Sequence, residues 1–176
     1  ERLVRSAKLA LTLEAWVDPA TLTSTGIVVR RVVQDLGGGT QALNYVLGLE
    51  TNNSGGLQIV ADYRMKDGRE DLIRGGSVPT GTWTHIAASI NSLTAEFVLY
   101  TNGYSTASAA SLYNSPPPNG KGGEAFVRIG ENFMGRIDEV RIWNATRSAP
   151  EMLLNFAEYI YLRGPFFLFA LKYYLY

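Results

Sequence analysis

The sequence predicts an all-β fold, a two-sheet antiparallel jelly-roll sandwich with one short helix near residues 149–158 and an extra aromatic strand at the C-terminal end. Three observations carry this expectation. Short segments rich in Val, Ile and Tyr recur along the chain, separated by clusters of Gly, Asn and Ser. One of them, LALTLEAWV (9–17), alternates Leu9, Leu11, Leu13, Ala15 and Val17 on a single face, as a half-buried strand does. Between two others stands Asn102-Gly103, a favoured hairpin pair because both residues tolerate positive φ.

After 9–17 come GIVVRRVV (26–33), LNYVLGLE (43–50) and LQIVADY (57–63), then WTHIAASI (83–90), EFVLY (96–100), YSTASA (104–109) and AFVRIG (125–130). A last strand runs from Ile137 to Trp143. Nine or so short strands at this spacing fit a sandwich or jelly roll. The segments 35–41, 52–56 and 115–123 are turns and loops. None is a phosphate loop, since no strand-to-helix context or Walker lysine accompanies the glycines. The helix is marked by Ser148 as its cap, Pro150 in its first turn and Glu151 completing a capping box.

Composition narrows the function. Sixteen basic residues balance sixteen acidic ones, which argues against a nucleic-acid surface. There is no cysteine, so disulfides, thiolate catalysis and Cys-ligated zinc are excluded. No apolar run reaches the roughly 20 residues of a membrane-spanning helix. The chain starts at Glu1, as a processed chain or a fragment would, and Arg2, Arg5 and Lys8 interrupt any signal-like apolar run.

Four blocks, LTLEAWVDP (11–19), GTWTHIAASI (81–90), FVLYTNGYS (97–105) and RIGENFMGRIDEVRIWNATRSAPEM (128–152), stand in an order that resembles the laminin-G-like and pentraxin-like domains of the concanavalin-A-like lectin/glucanase group. The resemblance covers about 10–152 and implies two packed antiparallel sheets, usually in an extracellular protein. It divides the chain into a jelly-roll domain at 1–158 and a hydrophobic tail at 159–176. Such domains usually carry a further strand before the AWV strand, and here only eight residues precede Leu9.

Simple alternation along Ile137–Trp143 puts Asp138 with Val140 and Ile142, facing the core, where a carboxylate must be satisfied. In related calcium-bearing jelly rolls an aspartate of this strand helps hold a structural ion, so the resemblance makes Asp138 a candidate calcium ligand. Hydrogen bonds from loop amides or an arginine partner would satisfy it equally well. His85 is the single histidine, and no nucleophile elbow accompanies it, which favours a structural role. No strand presents the paired carboxylates of a glucanase. Asp138 and Glu139 are adjacent, and Glu70 and Asp71 fall in a polar loop with Asp62 and Asp67 nearby, so no enzyme activity is expected. Asn52 and Asn144 fit the glycosylation sequon.

Nine of the twenty aromatic residues fall in the last twenty-one positions. Residues 165–176 would span about 18 Å as a helix and roughly 40 Å as a strand; aromatic enrichment favours the strand. Phe166, Phe167, Leu168, Phe169, Leu171, Tyr173, Tyr174, Leu175 and Tyr176 are too apolar to stand exposed. They pack either in their own sandwich or, past a Gly164-Pro165 hinge, in a neighbouring subunit. The leading expectation is therefore a non-catalytic extracellular subunit that self-associates with copies of itself through this strand, as an oligomer or filament. The alternative is a calcium-assisted glycan- or protein-binding module.

Overall fold

The computed structural model describes residues 10–34, 41–64, 69–91, 93–111 and 125–154. Ten strands run in the order β1 (Ala10–Pro19), β2 (Gly26–Gln34), β3 (Gln41–Thr51), β4 (Leu57–Arg64), β5 (Glu70–Val78), β6 (Thr84–Asn91), β7 (Glu96–Thr101), β8 (Tyr104–Ala110), β9 (Ala125–Glu131) and β10 (Gly135–Trp143). They form two five-stranded antiparallel sheets, β10-β1-β6-β7-β8 and β5-β4-β3-β2-β9, which confirms the jelly-roll expectation. One strand was not expected: Glu70 and Asp71, read as loop, open β5 and pair with Arg64 and Tyr63 of β4. Gly75 and Gly76 in its second half hid the strand pattern.

The sheets enclose one main core. Leu13, Ala15 and Val17 of β1 and Ile86, Ala88 and Ile90 of β6 meet Leu47, Leu49, Leu57, Ile59 and Tyr63 of the other sheet. Asn102 (φ 52) and Gly103 (φ 82) form the expected β7–β8 turn. The expected helix is present over 149–154, and its remainder to 158 lies outside the described residues. Its capping box is formed, with the Glu151 carboxylate accepting from the Ser148 amide and hydroxyl, each at 2.7 Å.

The two lateral sides of the sandwich differ. On one, β5 and β8 close tightly: a Cβ at Gly75 would lie 2.7 Å from that of Ala107, and one at Gly76 (φ 67) would meet Thr101, Thr106 and Ile59. On the other, β9 and β10 are the outermost strands among the described residues, and Val127, Ile129 and Ile142 stand 50%, 56% and 41% exposed.

Candidate ligand groove

While Leu13, Ala15 and Val17 face the core, Thr12, Glu14, Trp16 and Asp18 face outward from the first sheet. Register sets Thr12 beside Ser89, Glu14 beside Ala87 and Trp16 beside His85 of β6. It continues from Ala87, Ser89 and Asn91 to Tyr100, Val98 and Glu96 of β7, and then to Ser105 and Ser108 of β8. A sheet's outer face is usually wet, yet Thr12, Glu14, Trp16, His85 and Ser89 are all buried. The chain after β10 covers part of this face: Met152, itself buried, packs on Ala87 and Tyr100 beside Val98 and Ala149.

Thr12 ties this cover to the sheet. Its hydroxyl donates to the Ala145 carbonyl at 2.8 Å and accepts the Arg147 amide at 3.0 Å. With that proton committed, the 3.1 Å bond to Ser89 must be donated by the Ser89 hydroxyl.

Glu14 is the second anchor. Its carboxylate accepts from the Trp143 indole N–H at 2.8 Å and from Arg141 at 3.4 Å, and lies 3.5 Å from His85 Nε2. Burial by itself would raise its pKa; contact with His85, the Trp143 bond and the charges of His85 and Arg147 outweigh that and bring it down to about 2. The Arg147 guanidinium in turn sits 4.3 Å from the centroid of the Trp143 ring. The buried carboxylate thus fixes Trp143, and Trp143 fixes Arg147 at the rim.

Beside this cover lies a groove of about 490 Å³. Ser89, Asn91, Glu96, Val98, Tyr100, Ser105 and Ser108 form its floor, and Thr146, Arg147, Ser148 and Ala149 form its wall. Asn91 Oδ1 accepts from the Leu93 and Thr94 amides, which leaves its NH₂ as a donor. Glu96 accepts from the Thr94 hydroxyl at 2.8 Å. Burial pushes the Tyr100 phenol pKa up and the Glu96 charge adds to it, so the phenol stays protonated and able to donate. The groove therefore offers hydroxyls, an amide, one carboxylate, a guanidinium and a phenol within a small apolar surround, a set suited to hydrogen-bonding a polyhydroxylated ligand.

The sequence-derived sites fall elsewhere. Asp138 does not face the core. Between the Glu14–Arg141 and Trp16–Asp138 pairs, Ala15 alone faces Glu139 and Val140, a β-bulge with Glu139 at φ 49. The extra residue reverses the alternation: Ile137 and Val140 both pack on the core, and Asp138 is paired with outward-facing Trp16. Its Oδ1 accepts the Glu139 amide at 2.9 Å. Among the described residues, no three His, Cys, Asp or Glu side chains come together as a metal cluster. Asn52 shapes a turn, accepting from the Ser54 and Gly56 amides at 2.9 Å each, and Asn144 is exposed just after β10. Asp62 and Glu70 both bind Arg64, while Asp71 accepts from Ser111 at 2.6 Å. Asp67 and the aromatic positions 166–176 lie outside the described residues. The groove itself was missed because only the core-facing half of each strand was read. A signal beside it was the outward set Thr12, Glu14, Trp16 and Asp18, three of them polar within a strongly apolar segment, although none of the four lines the groove.

A laminin-G-type family, described as the Concanavalin A-like lectin/glucanases superfamily, matches residues 3–152. No curated protein sequence matches. Among solved structures, the sialidase CBM40 of Ruminococcus gnavus bound to α2,3-sialyllactose aligns with a TM-score of 0.62 at 15% identity, over 85% of this chain and 84% of that one. Domain 4 of AbnA, an extracellular arabinanase of Geobacillus stearothermophilus, in complex with arabinotriose, gives 0.56 at 22% identity, over 85% and 67%. A heptameric SAP-like pentraxin of Limulus polyphemus gives 0.57 at 15% identity, over 83% and 70%. Of some larger matches, such as the botulinum neurotoxin serotype D binding domain, the chain spans only 38%. At these identities the likeness is one of fold.

Proposed function

The chain belongs to the Concanavalin A-like lectin/glucanases superfamily, and from that premise we propose that it is a non-catalytic extracellular binding module that holds an oligosaccharide on the outer face of its first sheet. The observation that carries this reading is the hydroxyl-rich groove between β6–β8 and residues 146–149, with Tyr100 in its floor and Arg147 fixed at its rim. Two of the fold relatives were solved with an oligosaccharide bound. A glycosidase sets two carboxylates about the scissile bond, and among the lining residues Glu96 is the sole acid.

The test is titration of the full chain with arabinotriose and α2,3-sialyllactose, then a wider oligosaccharide panel, by calorimetry. Saturable binding weakened tenfold or so by Glu96→Ala, consistent with losing a charged hydrogen bond, supports the reading. Binding untouched by Glu96→Ala and Arg147→Ala together removes the groove from it.

A second reading is self-association through residues 165–176. It is favoured by the apolar side chains of Val127, Ile129 and Ile142, which stand exposed on β9 and β10.

A further inference from the structure

We propose that the groove of the first sheet selects saccharides that carry a carboxylate, and that Arg147 is the residue that recognises it. This rests on the oligosaccharide-binding reading and names its substrate class. Among the described residues, Arg30, Arg64, Arg74, Arg128, Arg136 and Arg141 each form an ion pair with a carboxylate. Arg147 lines the groove and forms none. Its Nη2 donates to the Glu151 carbonyl at 3.2 Å, and its buried Nε has no protein acceptor. A guanidinium carries five N–H donors in a planar fork, so one bond to a carbonyl leaves most of them to be filled.

Glu14 and Glu151 lie close enough to feel this charge, yet both carboxylates are engaged elsewhere. Glu14 accepts from Trp143 and Arg141, and Glu151 from the Ser148 amide and hydroxyl. The cation is also held still. Its planar group lies 4.3 Å from the centroid of the Trp143 ring, Trp143 is tied to buried Glu14, and the Arg147 amide is tied to Thr12. A side chain fixed in this way has little freedom left to lose when a ligand arrives. Its fork matches the two oxygens of a carboxylate better than it matches a neutral hydroxyl.

Glu96, the acid of the groove, stands at the other end. The backbone of Trp143 belongs to β10 and that of Glu96 to β7, three strand spacings away in the order β10-β1-β6-β7, or roughly 14 Å. That exceeds the Debye length of roughly 8 Å in physiological salt, and Glu96 is exposed, so its repulsion of an anion at Arg147 is screened. A saccharide lying across the strands therefore sets its carboxylate against Arg147 and donates hydroxyls to Glu96, with Ser89, Tyr100 and Ser108 between them in the floor.

The full chain is tested on an array that sets neutral oligosaccharides beside sialylated and uronate-containing ones. Each acidic sugar that binds is then titrated by calorimetry as the free acid and as its methyl ester, which removes the charge. The bound set is expected to carry a carboxylate, and esterification to weaken binding about tenfold or more. Arg147→Gln is expected to bring acid and ester affinities together, while Arg147→Lys, which keeps the charge and loses the fork, retains a smaller preference. Melting curves of both variants check that they fold. A bound set of neutral sugars, or acid and ester bound alike by the wild-type chain, with Glu96→Ala still weakening the binding, overturns the charge selection and leaves the oligosaccharide reading in place. An acid preference that survives Arg147→Gln overturns the role of Arg147. No saturable binding anywhere on the array overturns the oligosaccharide reading, and this inference with it.

Discussion

On the outer face of the first sheet, Glu14 is 1% exposed and accepts from Trp143 and Arg141 beneath a covering segment. On the outer face of the second, Glu50 accepts from Gln58 and from Arg74, whose side chain is half in solvent. The hydrogen-bond chemistry is alike and the energetics are opposite. An exposed pair exchanges water for a partner and gains little. A buried one loses its water in the folded state, so each remaining bond becomes a condition of folding. That condition makes the first face rigid, and rigidity at Thr12, Trp143 and Arg147 is what a preorganised groove requires.

Removing the buried anchor should show the contrast most strongly. Glu14→Ala leaves the Trp143 indole without its acceptor and the Arg141 guanidinium with Glu139 alone, and is expected to cost about 3–5 kcal/mol in urea unfolding. Acid exposes the same carboxylate. Its pKa falls from 4.5 to about 2 on folding, so its stabilisation is complete above pH 4.5 and disappears as pH drops toward 2. The expected loss over that window is about 3 kcal/mol, and Glu14→Gln should flatten the slope.

Thr12→Val is next in size. It removes three hydrogen bonds at a fully buried hydroxyl and is expected to cost about 1–3 kcal/mol. It should also weaken oligosaccharide binding, since it frees the Ser89 hydroxyl and the Arg147 amide, both of which line the groove. On the other face, Arg74→Ala is expected to change stability by less than about 1 kcal/mol, and less still in high salt. The smallest effect concerns calcium. With Asp138 facing outward and accepting the Glu139 amide, chelation is expected to leave the melting temperature unchanged; a drop that Asp138→Asn abolishes would instead place a structural ion there.

The same contrast explains what could be read from sequence. Alternation in LALTLEAWV identified the core face of β1, and Asn102-Gly103 identified the β7–β8 turn, because a two-residue period and a positive-φ pair are local signals. Ser148 and Glu151 fixed the helix start for the same reason. Asp138 was misplaced because a bulge adds one residue on one strand, which puts Ile137 and Asp138 before it out of step with Val140 and Ile142 after it, and Glu139 gives no glycine to announce it. The groove was not legible because its floor comes from three strands and its wall from residues 146–149. Only folding brings the Thr12 hydroxyl to the Arg147 amide, 135 positions away.

The most direct test of the central claim is amide chemical-shift mapping while a bound oligosaccharide from the panel is titrated into the isotopically labelled full chain. The shifts are expected on Ser89, Asn91, Glu96, Ser105, Ser108 and Ser148, the groove of the first sheet, with Glu50, Asp62 and Arg74 of the second left in place. Shifts centred on the second sheet, or saturable binding that leaves the groove amides unmoved, would contradict it.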